Sequence, residues 1–124
     1  MATAPDDTTA TLLKVPPHSI EAERSVLGGL LLDENAWDSI SGIVSADDFY
    51  RGDHRIIFRC MQQLVEQNNP LDIITISESL DAVNELGNVG GLAYISDLAD
   101  GTPTASNIRA YADIVQERAT VRKL

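Results

Sequence analysis

The 124-residue sequence has one cysteine, Cys60, and few aromatic residues, which make up 5% of the chain. A single cysteine excludes an internal disulfide and is typical of a protein from a reducing compartment. Because aromatic residues are scarce, aliphatic side chains must form most of the hydrophobic core. The sequence has no run of about 18 apolar residues, the length that crosses a bilayer. We therefore expect a cytoplasmic protein without membrane contact.

Positive charge is also scarce, since 9 lysine and arginine residues face 19 aspartate and glutamate residues, giving a net charge of −10. Proteins that bind nucleic acid gain much of their affinity from basic side chains that neutralise phosphates. The composition therefore argues against direct nucleic-acid binding. The bases gather near the C-terminus, at Arg109, Arg118, Arg122 and Lys123. A mildly basic end on an acidic body favours contact with an acidic protein surface.

Apolar residues recur at helical spacing through most of the chain, which predicts an all-α fold of about six helices. The predicted N-caps are Ser19, Asn35 (for a short helix through Ile40), Asp53, Asp72 (or Thr75) and Ser106. The segment 71–86 is ambiguous, because its Ile/Thr run also fits a strand. The i, i+3, i+7 spacing of Ile73, Ile76 and Leu80 favours a helix there. The stretch that follows predicts a helix with Leu92, Ile95 and Ala99 inward.

The first predicted helix contains two adjacent glycines, Gly28 and Gly29. Each costs a helix interior roughly 0.8–1 kcal/mol relative to alanine. Ala22, Ser25 and Gly29 are spaced i, i+3, i+7 and form a face of small residues that Gly28 flanks. Small residues allow a second helix to approach closely, so we expect tight helix packing on this face. The alternative is that the glycines only weaken a helix end.

Residues with catalytic potential are present but isolated. The adjacent acids at 33–34 and 47–48 do not share a helix face, and they suit turns and caps better than acid–base chemistry. His18 and His54 are far apart and lack an HxxxH or CxxC partner, so no metal site is indicated. Cys60 falls at the edge of an apolar helix face, where it is more readily a core residue than a nucleophile. The sequence predicts a protein that binds and does no chemistry itself.

Five blocks of the sequence carry a family resemblance, in the order PPHSIEAERSVLGGLLLDENAWD, DFYRGDHRIIFRCMQQL, PLDIITISESL, VGGLAYISDLAD and NIRAYADIVQERATVRKL. Together they resemble the N-terminal domain of bacterial replicative DNA helicases of the DnaB family, from Val15 to Leu124. The resemblance implies a non-catalytic assembly and docking domain. Two alternatives stay open: the helicase-interacting domain of a primase, which has a similar fold, and a small acidic enzyme.

The resemblance also implies a domain organisation. Residues 1–14 would be a disordered acidic tail, 15–104 a globular helical head, and 105–124 the first helix of a hairpin with the truncated start of the second. The hairpin turn would lie near Ala119–Thr120, which makes the chain a fragment.

In the family, the full protein is a hexamer built as a trimer of dimers, and it unwinds DNA with ATP. ATP and magnesium would belong to a C-terminal domain absent from this chain, which would itself need no cofactor. The implied partners are a second copy of the chain, the primase and, as a further candidate, a helicase loader.

Candidate contact residues follow from their positions in the family motifs. Those matching the hairpin that packs against a partner subunit are Ile114, Val115, Arg118, Val121 and Arg122. Those near the surface associated with primase contact are Glu21 and Tyr94. Each has a structural alternative. Tyr94 could flank the inward stripe of its helix, Glu21 could compensate the helix dipole, and Ile114 and Val115 could pack within their own subunit.

Overall fold

A computed structural model describes residues 15–124, and within that range the chain has six α-helices and no strand. The helices are α1 (Ile20–Leu32), α2 (Trp37–Ile40), α3 (Gly52–Glu66), α4 (Ile73–Ala82), α5 (Gly91–Asp100) and α6 (Ile108–Arg122). Three short 3-10 helices, Glu34–Ala36, Ala46–Asp48 and Gly87–Val89, lie in the connections. The predicted all-α fold is confirmed. The predicted acidic tail, 1–14, lies outside the described residues.

Helix α1 forms the centre of the domain and packs against α3, α5 and α6. Its N-terminus is capped as the sequence predicts, because the Ser19 hydroxyl accepts a hydrogen bond from the Ala22 N–H at 3.2 Å. Val26, Leu27 and Leu30 have no exposed surface. This apolar stripe anchors the core, and the other helices are arranged around it.

The two glycines of α1 lie where other parts of the chain come closest. A Cβ atom on Gly28 would lie 2.2 Å from the Leu98 carbonyl oxygen and 2.1 Å from the Thr102 hydroxyl oxygen, both at the end of α5. A Cβ atom on Gly29 would lie 3.0 Å from the Ile108 side chain at the start of α6. The expected close packing is confirmed, and Gly28, predicted only to flank the small-residue face, makes the tighter contact.

The ambiguous segment 71–86 contains the helix α4. Its N-terminus has a reciprocal capping box, in which Asp72 accepts a hydrogen bond from the Thr75 N–H at 2.8 Å and Thr75 accepts one from the Asp72 N–H at 3.1 Å. Ile76 and Leu80 are buried. Local capping and the spacing of these apolar residues therefore outweigh the strand propensity of the Ile/Thr run.

Three predicted N-caps are wrong. Asn35 lies inside the 3-10 helix Glu34–Ala36, and Asp33 is the residue that caps it. The other two are Asp53 and Ser106. Helix α3 begins at Gly52, so Asp53 lies inside its first turn, where its carboxylate pairs with the Arg51 guanidinium. Helix α6 begins at Ile108, because the N–H of Ser106 bonds the Thr104 hydroxyl at 3.1 Å in a preceding turn. In both cases a local hydrogen bond moves the helix start by one or two residues.

Helix α5 is oriented differently from the prediction. Ile95 and Leu98 are buried, but Leu92, predicted to point inward, is 50% exposed and Ala99 is only partly buried. The reason is that α1 packs against the Leu98 side of the stripe, through Gly28. Leu92 lies in the first turn on the opposite edge.

Helix α6 is continuous to Arg122, so the turn predicted near Ala119–Thr120 is wrong. Its inner face is formed by residues at helical spacing that expose 4% of their surface or less, namely Ile108, Ala112, Val115 and Ala119. Ala119 extends the buried stripe by one more turn, and packing of that turn keeps the backbone helical.

Candidate protein-docking sites

A glutamate and a histidine lie inside the helical core. Glu23 on α1 exposes 1% of its surface and His54 on α3 exposes none. The Glu23 Oε1 atom lies 2.7 Å from His54 Nδ1, and His54 Nε2 lies 2.6 Å from the hydroxyl oxygen of Tyr94 on α5. A single chain of hydrogen bonds thus joins three helices.

The Glu23 carboxylate also binds the backbone that leads into α3. Its Oε2 atom accepts a hydrogen bond from the Tyr50 N–H at 2.7 Å, and its Oε1 atom accepts a longer one from the Arg51 N–H at 3.4 Å. Burial of a carboxylate is costly unless hydrogen bonds replace its water. With the His54 ring, these two N–H groups provide that replacement.

One assignment of the protons satisfies the hydrogen bonds of this network. If His54 carries its proton on Nδ1, it donates to Glu23 and accepts from the Tyr94 hydroxyl through Nε2. Arg24 then donates to the Tyr94 oxygen from Nη1, at 3.3 Å. The His54 ring N–H and the Tyr94 hydroxyl each have an acceptor in this arrangement. The hydroxyl is fully used inside the domain, so the Glu–His–Tyr sequence fixes a side chain and does not present a nucleophile.

Two guanidinium groups lie over the ring of the half-buried Tyr94. The Arg24 Cζ atom is 5.3 Å from the ring centroid and the Arg51 Cζ atom is 5.5 Å from it, both at cation–π distance. Burial raises the pKa of Tyr94, although Arg51 and Arg24 partly oppose this. A hydrogen bond with Asp53 raises the pKa of Arg51. The ring therefore stays neutral and the guanidinium charged at physiological pH.

Glu21 is exposed on the same side of α1 as Arg24. Both line a shallow hollow of about 230 Å³ with Ser25, Leu98, Gly101 and Thr102. Because Arg24 also bonds Tyr94, the two residues predicted near a primase-contact surface lie on either side of one arginine. We call Glu21, Arg24, Arg51 and Tyr94 the Tyr94 surface.

The outward side of α6 carries three of the predicted partner contacts. Ile114, Arg118 and Val121 are spaced i, i+4, i+7 and line one flank of the helix. Ile114 and Arg118 are half-buried and Val121 is 44% exposed. We call these three residues the outer α6 stripe.

The two remaining predicted contacts are used within the chain. Val115 exposes 1% of its surface and belongs to the core, so its prediction as a partner contact is wrong because its side chain is already covered. Arg122 donates to the carbonyl oxygens of Pro17 at 2.8 Å and Asp48 at 2.7 Å, and its guanidinium lies over the Tyr50 ring. Arg122 therefore fastens the end of α6 to the chain before α1 and to the loop before α3.

Sequence reasoning missed the central role of Glu23 and His54. Glu23 has the same first-turn position as Glu21, and both were consistent with dipole compensation. His54 falls on the apolar face of α3, and that position was the available signal, since a buried imidazole needs hydrogen-bond partners. Its partners lie 31 and 40 residues away, at distances that periodicity does not reach.

Metal-binding groups and membrane-spanning helices are both lacking in residues 15–124. No group of three His, Cys, Asp or Glu side chains there could hold a metal ion. No helix in this range is both long enough and apolar enough to cross a membrane.

The chain is similar to replicative helicases from several bacteria. Residues 15–117 match the family model for the DnaB-like helicase N terminal domain. The replicative DNA helicase DnaB of Pasteurella multocida is 51% identical over 110 residues, which cover 89% of this chain and 24% of that protein. The corresponding protein of Haemophilus influenzae is 46% identical over 118 residues, 95% of this chain and 25% of that protein. The chain thus spans about a quarter of the length of these curated relatives, at 24% and 25%.

Two solved structures that resemble this fold are N-terminal domains of DnaB helicases. The crystal structure of the N-terminal domain of DnaB helicase from Mycobacterium tuberculosis superposes with a TM-score of 0.85 at 36% identity, covering 88% of this chain and 77% of that one. A structure described as the N-terminal domain of DnaB helicase from Helicobacter pylori and its interactions with primase gives a TM-score of 0.67 at 21% identity, covering 82% and 79%. The second likeness shows the fold alone. Sequence and structure together show that the chain belongs to the DnaB-like helicase N-terminal domain family.

Proposed function

We propose that this chain is the assembly and docking domain of a hexameric replicative DNA helicase in the cytoplasm, and that it works by binding other proteins. Family membership favours this function over a primase domain or a small acidic enzyme. ATP-driven unwinding needs a phosphate-binding loop, and the 124 residues contain no GxxxxGK[ST] motif. We assign ATP and magnesium to another part of the full protein.

The assembly role is supported by helix α6, which has one buried face and one partly exposed apolar flank. Its inner face is buried against α1, while Ile114, which is half-buried, and Val121, which is 44% exposed, lie beside it as a partly uncovered apolar flank. An apolar helix flank of this kind is suited to pack against the same flank of a second copy, as in a two-fold symmetric contact. We therefore infer that the outer α6 stripe forms the subunit contact, and that Arg118 lies between its two apolar residues.

Sedimentation over a range of concentrations tests this contact. The unaltered chain is expected to associate reversibly, and the double variant Ile114→Ser/Val121→Ser is expected to stay monomeric. Ile74→Ser is the matched control, because Ile74 is 66% exposed on α4, away from the stripe. Equal association of the double variant and the unaltered chain would contradict the assignment.

We further propose that the Tyr94 surface binds the primase. Support comes from the Helicobacter pylori structure, which is described with its interactions with primase, and from the hollow that exposed Glu21 and half-buried Arg24 share. Titration calorimetry with the primase of the same organism tests the proposal. Association is expected for the unaltered chain and weaker association for Glu21→Trp, whose larger side chain would obstruct the edge of the hollow. If the unaltered chain does not bind, primase docking by this domain is excluded.

A helicase loader is a second partner to test in the same way. Competition between loader and primase for the chain would place both on the Tyr94 surface, and simultaneous binding would place them on separate surfaces.

A further inference from the structure

We propose that the buried Glu23–His54 pair positions Tyr94 as a platform, and that this platform presents the Arg24 guanidinium to an acidic side chain of a partner protein. The identity of the partner rests on the proposed docking function. The positioning role of Glu23 and His54 rests on the hydrogen bonds within the chain, so the two parts can fail separately.

The Tyr94 hydroxyl points into the domain, toward His54. It lies 2.6 Å from His54 Nε2, and the His54 side chain has no exposed surface. The tyrosine is thus anchored at its polar end inside the domain. A partner that approaches from solvent meets the ring and its neighbours, and does not meet a free hydroxyl.

The His54 side chain that anchors Tyr94 is itself held in place by its neighbours. His54 is held at Nδ1 by Glu23, which is itself held by the Tyr50 N–H at 2.7 Å. Phe49 meets the His54 ring edge-on, with centroids 6.4 Å apart, and limits its rotation. Groups that fix the orientation of a contact residue in this way reduce the entropy lost when a partner binds.

The positive charge of Arg24 remains available to a partner. Arg51 pairs with Asp53, whereas Arg24 forms no ion pair within residues 15–124. Arg24 is half-buried over the Tyr94 ring and donates one hydrogen bond to the Tyr94 oxygen. Its other N–H groups remain for a carboxylate, which a guanidinium can bind with two parallel hydrogen bonds.

Nitrogen NMR of the His54 ring tests the positioning role without any partner. We expect a proton on Nδ1 and an unprotonated Nε2 that accepts from Tyr94. Tyr94→Phe removes that donor, so the Nε2 resonance is expected to shift while Nδ1 stays bonded to Glu23. His18 provides an internal reference, because its Nδ1 atom bonds the Pro16 carbonyl oxygen at 2.7 Å and not Tyr94. An Nε2 resonance unchanged by Tyr94→Phe would overturn the positioning role.

Binding of the primase tests the second part. Arg24→Gln is expected to weaken binding about tenfold, the effect of losing roughly 1.4 kcal/mol. Tyr94→Phe keeps the ring beneath Arg24 but removes the anchoring hydrogen bond, so it is expected to weaken binding by about threefold, less than Arg24→Gln and equivalent to under 1 kcal/mol. Arg109→Gln is the matched control, because Arg109 is exposed on α6.

The outcomes separate the hypotheses. If Tyr94→Phe binds as tightly as the unaltered chain, the anchored hydroxyl does not position Arg24 and the platform is wrong. If Arg24→Gln and Arg109→Gln bind equally, Arg24 does not recognise an acidic group. If the unaltered chain binds no primase, primase docking and recognition of an acidic group on that partner are both excluded. The His54 ring resonances then remain as the test of the positioning role.

Discussion

Glu23 Oε1 lies 2.7 Å from His54 Nδ1, and these two groups join α1 to α3 where solvent does not reach. The carboxylate accepts three N–H groups in all, one from the ring and two from the backbone of Tyr50 and Arg51. A buried acceptor that serves three donors is worth more than a surface ion pair, because its removal leaves each donor unpaired in a dry site.

Replacement of Glu23 by alanine is therefore expected to lower the free energy of unfolding strongly, by about 3–5 kcal/mol. Glu23→Gln keeps an acceptor for the backbone N–H groups, so its loss should be smaller. Urea denaturation followed by circular dichroism measures both.

Glu21→Ala is the matched control for Glu23→Ala, since Glu21 lies in the same helical turn but is exposed. It is expected to cost less than about 1 kcal/mol, the usual range for a first-turn acid. Similar losses for the two alanine variants would mean that burial of Glu23 contributes nothing.

The paired glycines of α1 give a second prediction. Gly28→Ala places a Cβ atom 2.2 Å from the Leu98 carbonyl oxygen, and backbone cannot move aside cheaply. We expect a loss of about 1–3 kcal/mol, despite the better helix propensity of alanine. Gly29→Ala meets the flexible end of Ile108 at 3.0 Å, so its stability should stay within about 1 kcal/mol of the unaltered chain.

Thermal and urea unfolding of the two glycine variants provide the measurement, and each variant serves as the control for the other. An equal effect at both positions would show that helix propensity, not the approach of α5, determines why the glycines are there.

Most of the fold follows from local signals in the sequence. The caps at Ser19 and Asp72 and the apolar spacing of Val26, Leu27 and Leu30 are confirmed, because each depends on residues within one or two turns of each other. The end of α6 was predicted wrongly, since the burial that keeps its last turn helical comes from other elements of the fold.

The docking surfaces were only partly predictable for the same reason. Family motifs indicated Tyr94, but its inward hydroxyl depends on His54, 40 residues earlier in the chain. Val115 and Val121 are both valines of α6, and only the packed fold shows that Val115 is 1% exposed and Val121 is 44% exposed. Local patterns locate a helix, but they do not determine which flank stays uncovered.

Cys60 leads to a prediction about chemical reactivity. It is 6% exposed, and burial raises the pKa of its thiol, which a hydrogen bond with Ser79 partly opposes. At a given pH the folded chain therefore holds less reactive thiolate than the unfolded chain. As pH rises through the ordinary thiol range, the unfolded chain loses its proton first, so the free energy of unfolding should decrease.

We expect the folded chain to react with a disulfide reagent more slowly than the same chain in urea, because burial restricts access to the thiol and raises its pKa, which lowers the thiolate fraction. The double variant Cys60→Ala/Ser39→Cys is the control, because Ser39 is exposed on α2. If Cys60 reacts as fast as a cysteine at position 39, the side chain is accessible and its core position is wrong.

Arg122 gives the last prediction, because one guanidinium holds three separate segments together. It donates to the Pro17 and Asp48 carbonyl oxygens and lies 5.4 Å from the Tyr50 ring centroid. Arg122→Ala removes two charge-assisted hydrogen bonds and a cation–π contact at a partly exposed site. The expected loss in the free energy of unfolding is about 1–2 kcal/mol.

Arg122→Lys keeps the charge but cannot reach both carbonyl groups with a planar fork, so it should recover only part of the loss. Arg109→Ala removes the same side chain from an exposed position on the same helix and is expected to cost less than about 0.5 kcal/mol. Amide hydrogen exchange locates the effect, since faster exchange should be confined to residues near Pro17, Asp48 and the last turn of α6. Exchange that increases evenly across all helices would mean that Arg122 contributes only general stability and does not fasten these segments.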